Sequence, residues 1–334
     1  MKKLNVAING FGRIGRLALR KALKNDAVNV IAINDLTDVK TLAHLFKYDS
    51  VHGQFDGTVD IKNDKLVVNG LEIAVSAHRN PEDLPWKSLA IDVVMECTGV
   101  FRSSEGAGKH LTAGAKKVVI SAPAKSDDVP MIVLGVNENI LTKDDKIISN
   151  ASCTTNCLAP MVKVLDDAFG VKKGVITTIH SYTADQRIQD APHRDLRRAR
   201  AAAVSIVPTT TGAAIAVGKV LPHLNGKLDG KAIRVPTPDG SITDLVAILN
   251  KEVTADEVNE AMKKASFGDL KHIMYYTEDP IVSVDIIGNS HSCIFDSLLT
   301  STDGNLVKIF GWYDNEMGYA SRLIELAAKF GQME

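Results

Sequence analysis

Two cysteines lie four residues apart in the stretch ISNASCTTNC, residues 148–157. Such a pair could ligate a metal, form a disulfide, act as a redox pair, or supply one nucleophile beside a packing residue. A zinc site needs further ligands, and Cys97 and Cys293 each lie in strand-like surroundings without a paired cysteine. No Cys-x-x-Cys motif is present, and a disulfide within the first helical turns is disfavoured in the cytosol. We therefore expect no metal site and one reactive thiol.

The residues around the pair make its two members unequal. Apolar residues recur at helix spacing over 158–165, and the Ser, Thr and Asn residues before them are typical of helix caps. Cys153 should therefore lie at a helix N-terminus, where free N–H groups and the helix dipole lower a thiol pKa from about 8.5 towards neutrality. Cys157 lies one turn deeper on the same face and is expected to be a packing residue.

A thiolate nucleophile needs a base or an ion-pair partner. The apolar, β-branched run VITTIH at 175–180 predicts a strand that ends in His180. A histidine at the end of a strand is well placed to face a cleft, although a structural histidine is the alternative. The pair Cys153 and His180 is therefore the candidate for nucleophilic catalysis.

The N-terminal residues have the order of a dinucleotide-binding unit. A strand at 4–9 precedes the loop GFGRIG at 10–15, a helical pattern follows, and a second strand at 28–34 ends in Asp35. A helix N-terminus after a glycine loop offers N–H groups to phosphates. An acid about twenty residues after the loop can bond the adenosine ribose hydroxyls and would repel a 2′-phosphate. The order therefore predicts NAD as the cofactor.

Each glycine of the loop has a separate reason. Gly10 permits a tight turn, Gly12 lets the backbone approach a pyrophosphate, and Gly15 lets the helix pack closely on the strand. Between them, Arg13 and Ile14 are further cofactor-binding candidates. The alternative is that the glycines serve packing alone.

Further strands are expected at 91–97, 117–123, 131–136 and 146–149. In doubly wound sheets, ligands bind beyond the carboxyl ends of the strands. The turns after the first two of these strands are therefore predicted to line the cofactor site; the alternative is that they are ordinary turns at strand ends. The alternation over 58–75 predicts an antiparallel insertion, and the arginine that follows it either reaches the adenine or lies on the surface. These considerations add four candidates: Arg79, Thr98, Gly99 and Ser121.

Composition excludes several classes of protein. The chain has 334 residues, 45% hydrophobic and 24% charged, with a formal net charge of −1, which argues against disorder and against binding to nucleic acid or membranes by bulk charge. No apolar run approaches the roughly 20 residues of a membrane helix, and the N-terminus lacks the core of a signal peptide. We expect a cytoplasmic protein of two domains with free thiols.

Five blocks together resemble phosphorylating glyceraldehyde-3-phosphate dehydrogenase, and the resemblance runs essentially from end to end. The most specific of them is SNASCTTNCLAP. In chain order the blocks are INGFGRIGR at 8–16, AIND at 32–35, SNASCTTNCLAP at 149–160, PTTTGAA at 208–214 and WYDNE at 312–316.

The resemblance implies an α/β fold: a Rossmann-type doubly wound NAD-binding domain and an α+β catalytic domain with a mostly antiparallel sheet. The NAD-binding domain would comprise 1–150 and 316–334, because the C-terminal helix packs back on it, and the catalytic domain 151–315. The family forms homotetramers, so other copies of the chain are implied partners.

The resemblance also implies the reaction. Cys153 would attack the aldehyde of D-glyceraldehyde 3-phosphate, hydride would pass to NAD, and inorganic phosphate would release 1,3-bisphosphoglycerate from the thioester. His180 would be the general base. The alternative is erythrose-4-phosphate dehydrogenase, a near relative that transfers its acyl group to water.

The resemblance also implies which residues bind the nicotinamide and the two phosphates. Asn315, in WYDNE, matches the residue whose amide fixes the nicotinamide carboxamide. The residues expected to bind the substrate phosphate and the attacking phosphate are Ser152, Thr154, Thr183, Arg198, Thr211, Gly212 and Arg234.

One departure concerns cofactor choice. NAD-selective members commonly have Leu or Gly before the proline near the adenosine ribose, whereas this chain has Ala191 before Pro192. Alanine there also occurs in NADP-using relatives. Asp35 and Pro192 still favour NAD, and tolerance of NADP is the alternative that Ala191 leaves open.

Overall fold

A computed structural model describes residues 3–333 and divides into two compact units. The first unit comprises Met1–Ile132, Asn139–Ala151 and Ala320–Glu334, and the second comprises Val133–Glu138 and Ser152–Tyr319. Residues 1, 2 and 334, which the expected NAD-binding domain includes, lie outside the described residues. Within 3–333, no helix has the length and apolar character needed to cross a membrane.

The first unit is built on one sheet with a parallel centre. Its strands lie in the order β3-β4-β5-β2-β1-β6-β7-β8, and every pair from β5 to β8 is parallel. Its elements are β1 Leu4–Asn9, α1 Arg13–Ala22, β2 Val28–Asn34, α2 Val39–Lys47, β3 Val59–Lys62, β4 Lys65–Val68, β5 Leu71–Ser76, β6 Val93–Glu96, α3 Ser104–Thr112, β7 Lys117–Ile120 and β8 Ile147–Ser149.

The second unit is built on a mixed, mostly antiparallel sheet in the order β10-β11-β9-β12-β16-β14-β13, with β15 beside β16. The pairs β9–β11 and β13–β14 are parallel and the others are antiparallel. Its elements are α4 Cys153–Phe169, β9 Val171–Ser181, β10 Val207–Thr210, α5 Ala213–Val220, β11 Leu228–Val235, β12 Ser241–Leu249, α6 Ala255–Phe267, β13 Met274–Thr277, β14 Cys293–Asp296, β15 Ser301–Asp303 and β16 Leu306–Tyr313. The last helix, α7 Met317–Gly331, belongs to the first unit from Ala320 onward.

These two sheets confirm the expected fold class, and most expected elements are present. The strands expected at 4–9 and 28–34 have those bounds, and 58–75 forms the antiparallel β3–β4–β5 insertion. The strand expected at 131–136 is wrong: Met131 forms one isolated bridge, residues 132–133 are irregular, and residues 134–136 form a turn in which Gly135 has φ +82°. Its apolar residues are buried in an irregular segment, which a short apolar run cannot distinguish from a strand.

Candidate active site

The first residue of α4 is Cys153, as the capping pattern predicted. The Oγ atom of the preceding Ser152 accepts the N–H of Thr155 at 3.0 Å, which is a side-chain N-cap. The Cys153 Sγ atom lies 3.4 Å from Nε2 of His180, the penultimate residue of β9. Cys157 is fully buried and its Sγ lies 3.5 Å from the carbonyl oxygen of Gly311. The structure therefore pairs one cysteine with the histidine and makes the other a packing residue.

The acidity of the Cys153 thiol differs from the sequence expectation. Burial raises the pKa of this thiol. The Arg234 charge and hydrogen bonds from the start of α4 lower the pKa, but by less than burial raises it. The expectation of a pKa near neutrality is therefore wrong for this structure. The helix N-terminus lowers the pKa as expected, but the loss of hydration destabilises the thiolate by more than the terminal N–H groups stabilise it.

His180 is buried, and two neighbours compete for its Nδ1 atom. Arg234 places Nη1 at 2.6 Å from Nδ1, and the carbonyl oxygen of Ser181 lies at 2.8 Å. Burial and, second, the Arg234 charge lower the pKa of His180 to about 3, so the ring is neutral. A guanidinium only donates, and a carbonyl only accepts, so these contacts favour opposite tautomers of the ring.

Tyr313 is a member of the site that the sequence reasoning missed. Its hydroxyl lies 2.9 Å from Oγ1 of Thr154 and 2.7 Å from Oγ1 of Thr178, and its ring meets the His180 ring edge-on at 5.8 Å between centroids. The tyrosine thus fixes one side of the imidazole. The two-residue alternation of β16, whose buried face ends at Tyr313, was the available signal.

The expected phosphate ligands differ in what their side chains contact. Arg198 forms an ion pair with Asp185 and donates from Nε to Oγ1 of Thr209 at 2.9 Å, so it lies beside β10. Arg234 contacts His180, and it also interacts with the charges of Arg198 and Asp185. Thr154 is buried and turned towards Tyr313, which makes its hydroxyl a poor candidate for binding an external anion.

The remaining expected ligands lie in turns. Gly212 is the N-cap residue of α5, and Oγ1 of Thr211 accepts the N–H of Ala213 at 3.2 Å. The carbonyl oxygen of Thr183 accepts the N–H of Gln186 at 2.9 Å. The start of α5 therefore has the form expected of a helix-terminus anion site.

Asn315 is held by two serines. Its Oδ1 atom accepts the hydroxyl of Ser181 at 2.7 Å and that of Ser241 at 2.6 Å, while Oγ of Ser241 accepts the Ser181 N–H at 3.1 Å. These bonds fix the side-chain oxygen, so the amide NH₂ is the group left to bind an acceptor.

The first unit has a cavity of about 390 Å³ at the carboxyl ends of its central strands. Five of the expected cofactor residues line it, whereas Arg13, Ile14, Gly15, Gly99 and Ser121 do not. The guanidinium of Arg13 is paired with Asp49 at 2.6 Å. The lining residues are Asn9, Gly10, Gly12, Asn34, Asp35, Leu36, His78, Arg79, Cys97, Thr98, Val100 and Phe101.

The glycine loop at this cavity has the close approaches expected of it. Gly10 has φ +92°, and a Cβ there would lie 2.7 Å from the backbone nitrogen of Thr98. A Cβ at Gly15 would lie 2.2 Å from the Gly10 carbonyl oxygen, whereas at Gly12 it would meet no atom within 4 Å. Asp35 accepts the Phe11 N–H at 2.8 Å and faces the same cavity. These residues fit a dinucleotide, since Gly12 leaves open space for it beside an acid.

Comparison with known proteins gives one family for both units. The family model "Glyceraldehyde 3-phosphate dehydrogenase, NAD binding domain" matches residues 4–104, and the model of that family's C-terminal domain matches 152–315. The chain is 59% identical over 327 residues to the glyceraldehyde-3-phosphate dehydrogenase of Geobacillus stearothermophilus, with 97% of each chain covered. It is 57% identical to glyceraldehyde-3-phosphate dehydrogenase 1 of Bacillus subtilis (strain 168), again with 97% of each covered, and 56% identical to the Streptomyces coelicolor enzyme, with 98% of each covered.

Proposed function

Because the chain belongs to the glyceraldehyde-3-phosphate dehydrogenase family, we propose that Cys153 and His180 carry its chemistry. The chain is an oxidoreductase that oxidises glyceraldehyde 3-phosphate in glycolysis, with NAD as cofactor. The names of its relatives favour this aldehyde over erythrose 4-phosphate. The observation that supports the assignment of residues is the Sγ–Nε2 distance of 3.4 Å at the N-terminus of α4.

Attack on the aldehyde would proceed as follows. A bond forms between Cys153 Sγ and the aldehyde carbon, and the thiol proton passes to Nε2 of His180. The negative charge on the aldehyde oxygen is stabilised by the backbone N–H of Cys153 and by protonated His180. His180 is neutral in the folded protein, so a ring nitrogen can accept the proton, but burial and the Arg234 charge keep it a weak base until a bound anion neutralises that charge.

The second half of the reaction returns the thiol. NAD, when bound, would supply the hydride acceptor; loss of hydride from the sulfur adduct leaves a thioester on Cys153. An oxygen of inorganic phosphate then attacks the thioester carbon, the carbon–sulfur bond breaks, and Cys153 leaves as a thiolate. The thiolate takes back the proton held by His180, and the proton of the attacking phosphate passes to solvent. Gly12 and Asp35 would hold the cofactor, and the amide NH₂ of Asn315 would donate to its carboxamide group.

Arg234 connects anion binding to the tautomer of His180. Its Nη1 contact to Nδ1 favours a proton on Nε2, whereas the Ser181 carbonyl favours a proton on Nδ1. Only the second tautomer leaves Nε2 free to accept the thiol proton. An anion bound to Arg234 would draw the guanidinium away from the ring, so phosphate or substrate binding prepares His180 to act as the base.

The other residues that bind the two anions would be Arg198, Thr211 and Gly212. Ser152 and Thr183 would make the remaining contacts to these anions. Arg198 is already positioned by Thr209 and Asp185, so it presents its charge without a large loss of side-chain freedom. An anion that displaces Asp185 as its partner would keep the charge balanced.

Several copies of the chain would assemble as a homotetramer. Four large apolar side chains between β9 and β10 are mostly exposed: Ile188 at 87%, Leu196 at 81%, Val204 at 80% and Ile206 at 69%. Exposed apolar side chains concentrated in one segment of the chain are typical of a contact surface between subunits. Sedimentation velocity tests the assembly, and a monomer at micromolar concentration would contradict it.

Phosphate dependence is the test of the proposed reaction. NADH formation is measured with glyceraldehyde 3-phosphate and with erythrose 4-phosphate, each with and without inorganic phosphate. We expect turnover of the first aldehyde to require phosphate or arsenate. Equal turnover in the absence of both anions would contradict acyl transfer to phosphate.

A further inference from the structure

Two ionisable side chains, Glu96 and His110, lie fully buried beneath the cofactor cavity. Glu96 is the last residue of β6 and His110 lies on α3. His110 places Nε2 at 3.0 Å from Oε2 of Glu96, and the indole Nε1 of Trp86 donates to its Nδ1 at 3.0 Å. None of these three residues lines the cavity, so no step of the proposed reaction uses them directly.

The partners fix which atoms of the two side chains donate and which accept hydrogen bonds. Since an indole N–H only donates, Nδ1 of His110 is an acceptor, and the ring proton lies on Nε2, where it is donated to Glu96. Glu96 also accepts Nδ2 of Asn9 at 2.5 Å, the backbone N–H of Thr98 at 2.8 Å and the Thr98 hydroxyl. Four donors around a buried carboxyl satisfy its two oxygens, which would be costly to bury without partners.

The same carboxylate holds two residues that do line the cavity. Asn9 and Thr98 both lie in its wall, and both donate to Glu96. Asn9 in turn accepts Nδ2 of Asn34 at 2.7 Å, and Asn34 is also a wall residue. A network of hydrogen bonds therefore connects the buried Glu96 to three residues of the cavity wall, Asn9, Thr98 and Asn34.

The Thr98 backbone matters most, because the glycine loop rests on it. A Cβ at Gly10 would lie 2.7 Å from the Thr98 nitrogen, so the loop and the 97–98 peptide are in close contact. Glu96 accepts that N–H, and the Thr98 hydroxyl accepts the N–H of Val100 at 3.0 Å. Movement of this peptide would displace the phosphate-binding loop.

We propose that Glu96 and His110 are positioning residues that set the geometry of the dinucleotide cavity through Thr98, Asn9 and Gly10, and that Trp86 holds His110 in the tautomer this requires. The inference rests on the proposed use of the cavity for NAD. It adds that affinity for the adenine-side half of the cofactor depends on residues that do not touch it.

The central variant is Glu96→Gln. Glutamine has nearly the same shape as glutamate, but its NH₂ group replaces one acceptor oxygen with a donor. In one orientation of the amide the NH₂ faces the donors of Asn9 and His110, and in the other it faces the donors of Thr98. The matched control is Glu105→Gln, an exposed glutamate on the first turn of α3. A second test variant, Trp86→Phe, keeps a buried ring but removes the N–H that fixes the His110 tautomer.

Affinity is measured by calorimetry with ADP-ribose, which lacks the nicotinamide and so reports on the first unit alone. KM for NAD, kcat and the urea midpoint are measured on the same preparations. We expect Glu96→Gln to raise the Kd for ADP-ribose and KM for NAD about tenfold, with kcat at saturating NAD within about twofold of wild type. Trp86→Phe should raise the same Kd about threefold, and Glu105→Gln should leave it unchanged.

A merely structural role predicts a different pattern. If the urea midpoint falls in Glu96→Gln and Trp86→Phe while the Kd for ADP-ribose stays at its wild-type value, the positioning role is refuted. Should Glu96→Gln not fold, Trp86→Phe decides the question by the same criterion. Failure of the wild-type protein to bind ADP-ribose would instead refute the proposed use of the cavity, so the two failures are distinguishable.

Discussion

Replacement of Arg234 by glutamine tests how the charge of this residue controls the catalytic pair. The positive charge opposes protonation of His180 and stabilises the Cys153 thiolate. Its removal should therefore raise the pKa of both groups. The neutral amide of glutamine can still reach polar neighbours, so the variant changes the charge more than the packing.

The magnitude follows from the distance. Charge centres about 4 Å apart interact by about 4 kcal/mol at an effective dielectric of 20, which corresponds to about 3 pKa units. Burial is the larger cause of the fall in the pKa of His180 from its ordinary value of 6.5 to about 3, and burial is unchanged in the variant. We therefore expect the pKa to rise by only about one to two units, less than the Coulomb figure and short of its ordinary value.

Two assays measure the effect without relying on turnover, which Arg234 would also affect as an anion ligand. The His180 resonance is titrated by NMR, and the rate of Cys153 alkylation by iodoacetamide, a neutral reagent, is followed against pH. The alkylation profile should move to higher pH. The control is Arg200→Gln, whose guanidinium is exposed and paired with Asp190. A His180 pKa that stays the same or falls in Arg234→Gln would refute the electrostatic argument.

Three further predictions concern the second unit. Cys153→Ser should abolish NADH formation while the Kd for NAD stays within about twofold, as measured by calorimetry; retained turnover would exclude this nucleophile. Tyr313→Phe loses two buried hydroxyl contacts and should lower kcat about tenfold and the urea midpoint measurably, and an unchanged kcat would mean that the ring alone positions His180. Burial and the charge of Asp314 raise the pKa of Asp239 to about 9, so this carboxyl favours folding below its unfolded pKa of about 4 and loses that contribution as pH rises towards 9. Asp239→Asn should therefore flatten the decline of stability with pH over that range by up to about 1.4 kcal/mol per unit, and an unaltered slope in urea unfolding would contradict it.

Local patterns were sufficient for much of this fold. The bounds of β1 and β2 follow from short apolar runs ended by a glycine loop and an acid, and the start of α4 follows from its capping residues. These features depend only on residues close together along the chain, so they can be predicted from a single sequence. The run at 131–136 failed because burial, not strand pairing, made it apolar.

The site was less accessible to sequence reasoning. The pairing of Cys153 with His180 was expected, but its electrostatics were not, because desolvation depends on how many groups from distant segments enclose a side chain. The contact of Arg234 with the imidazole depends on the register of β11 against β9, where Arg234 lies opposite His180. The contribution of Tyr313 likewise depends on strand order, which neighbouring residues do not determine.

Trapping of the acyl-enzyme tests the central claim most directly. The protein is mixed with glyceraldehyde 3-phosphate and NAD without inorganic phosphate, quenched in acid, digested and analysed by mass spectrometry. The account predicts a 3-phosphoglyceroyl thioester on Cys153 that disappears when phosphate is added before the quench. An acyl group on Cys97, Cys157 or Cys293, or turnover with no acylated cysteine, would contradict it.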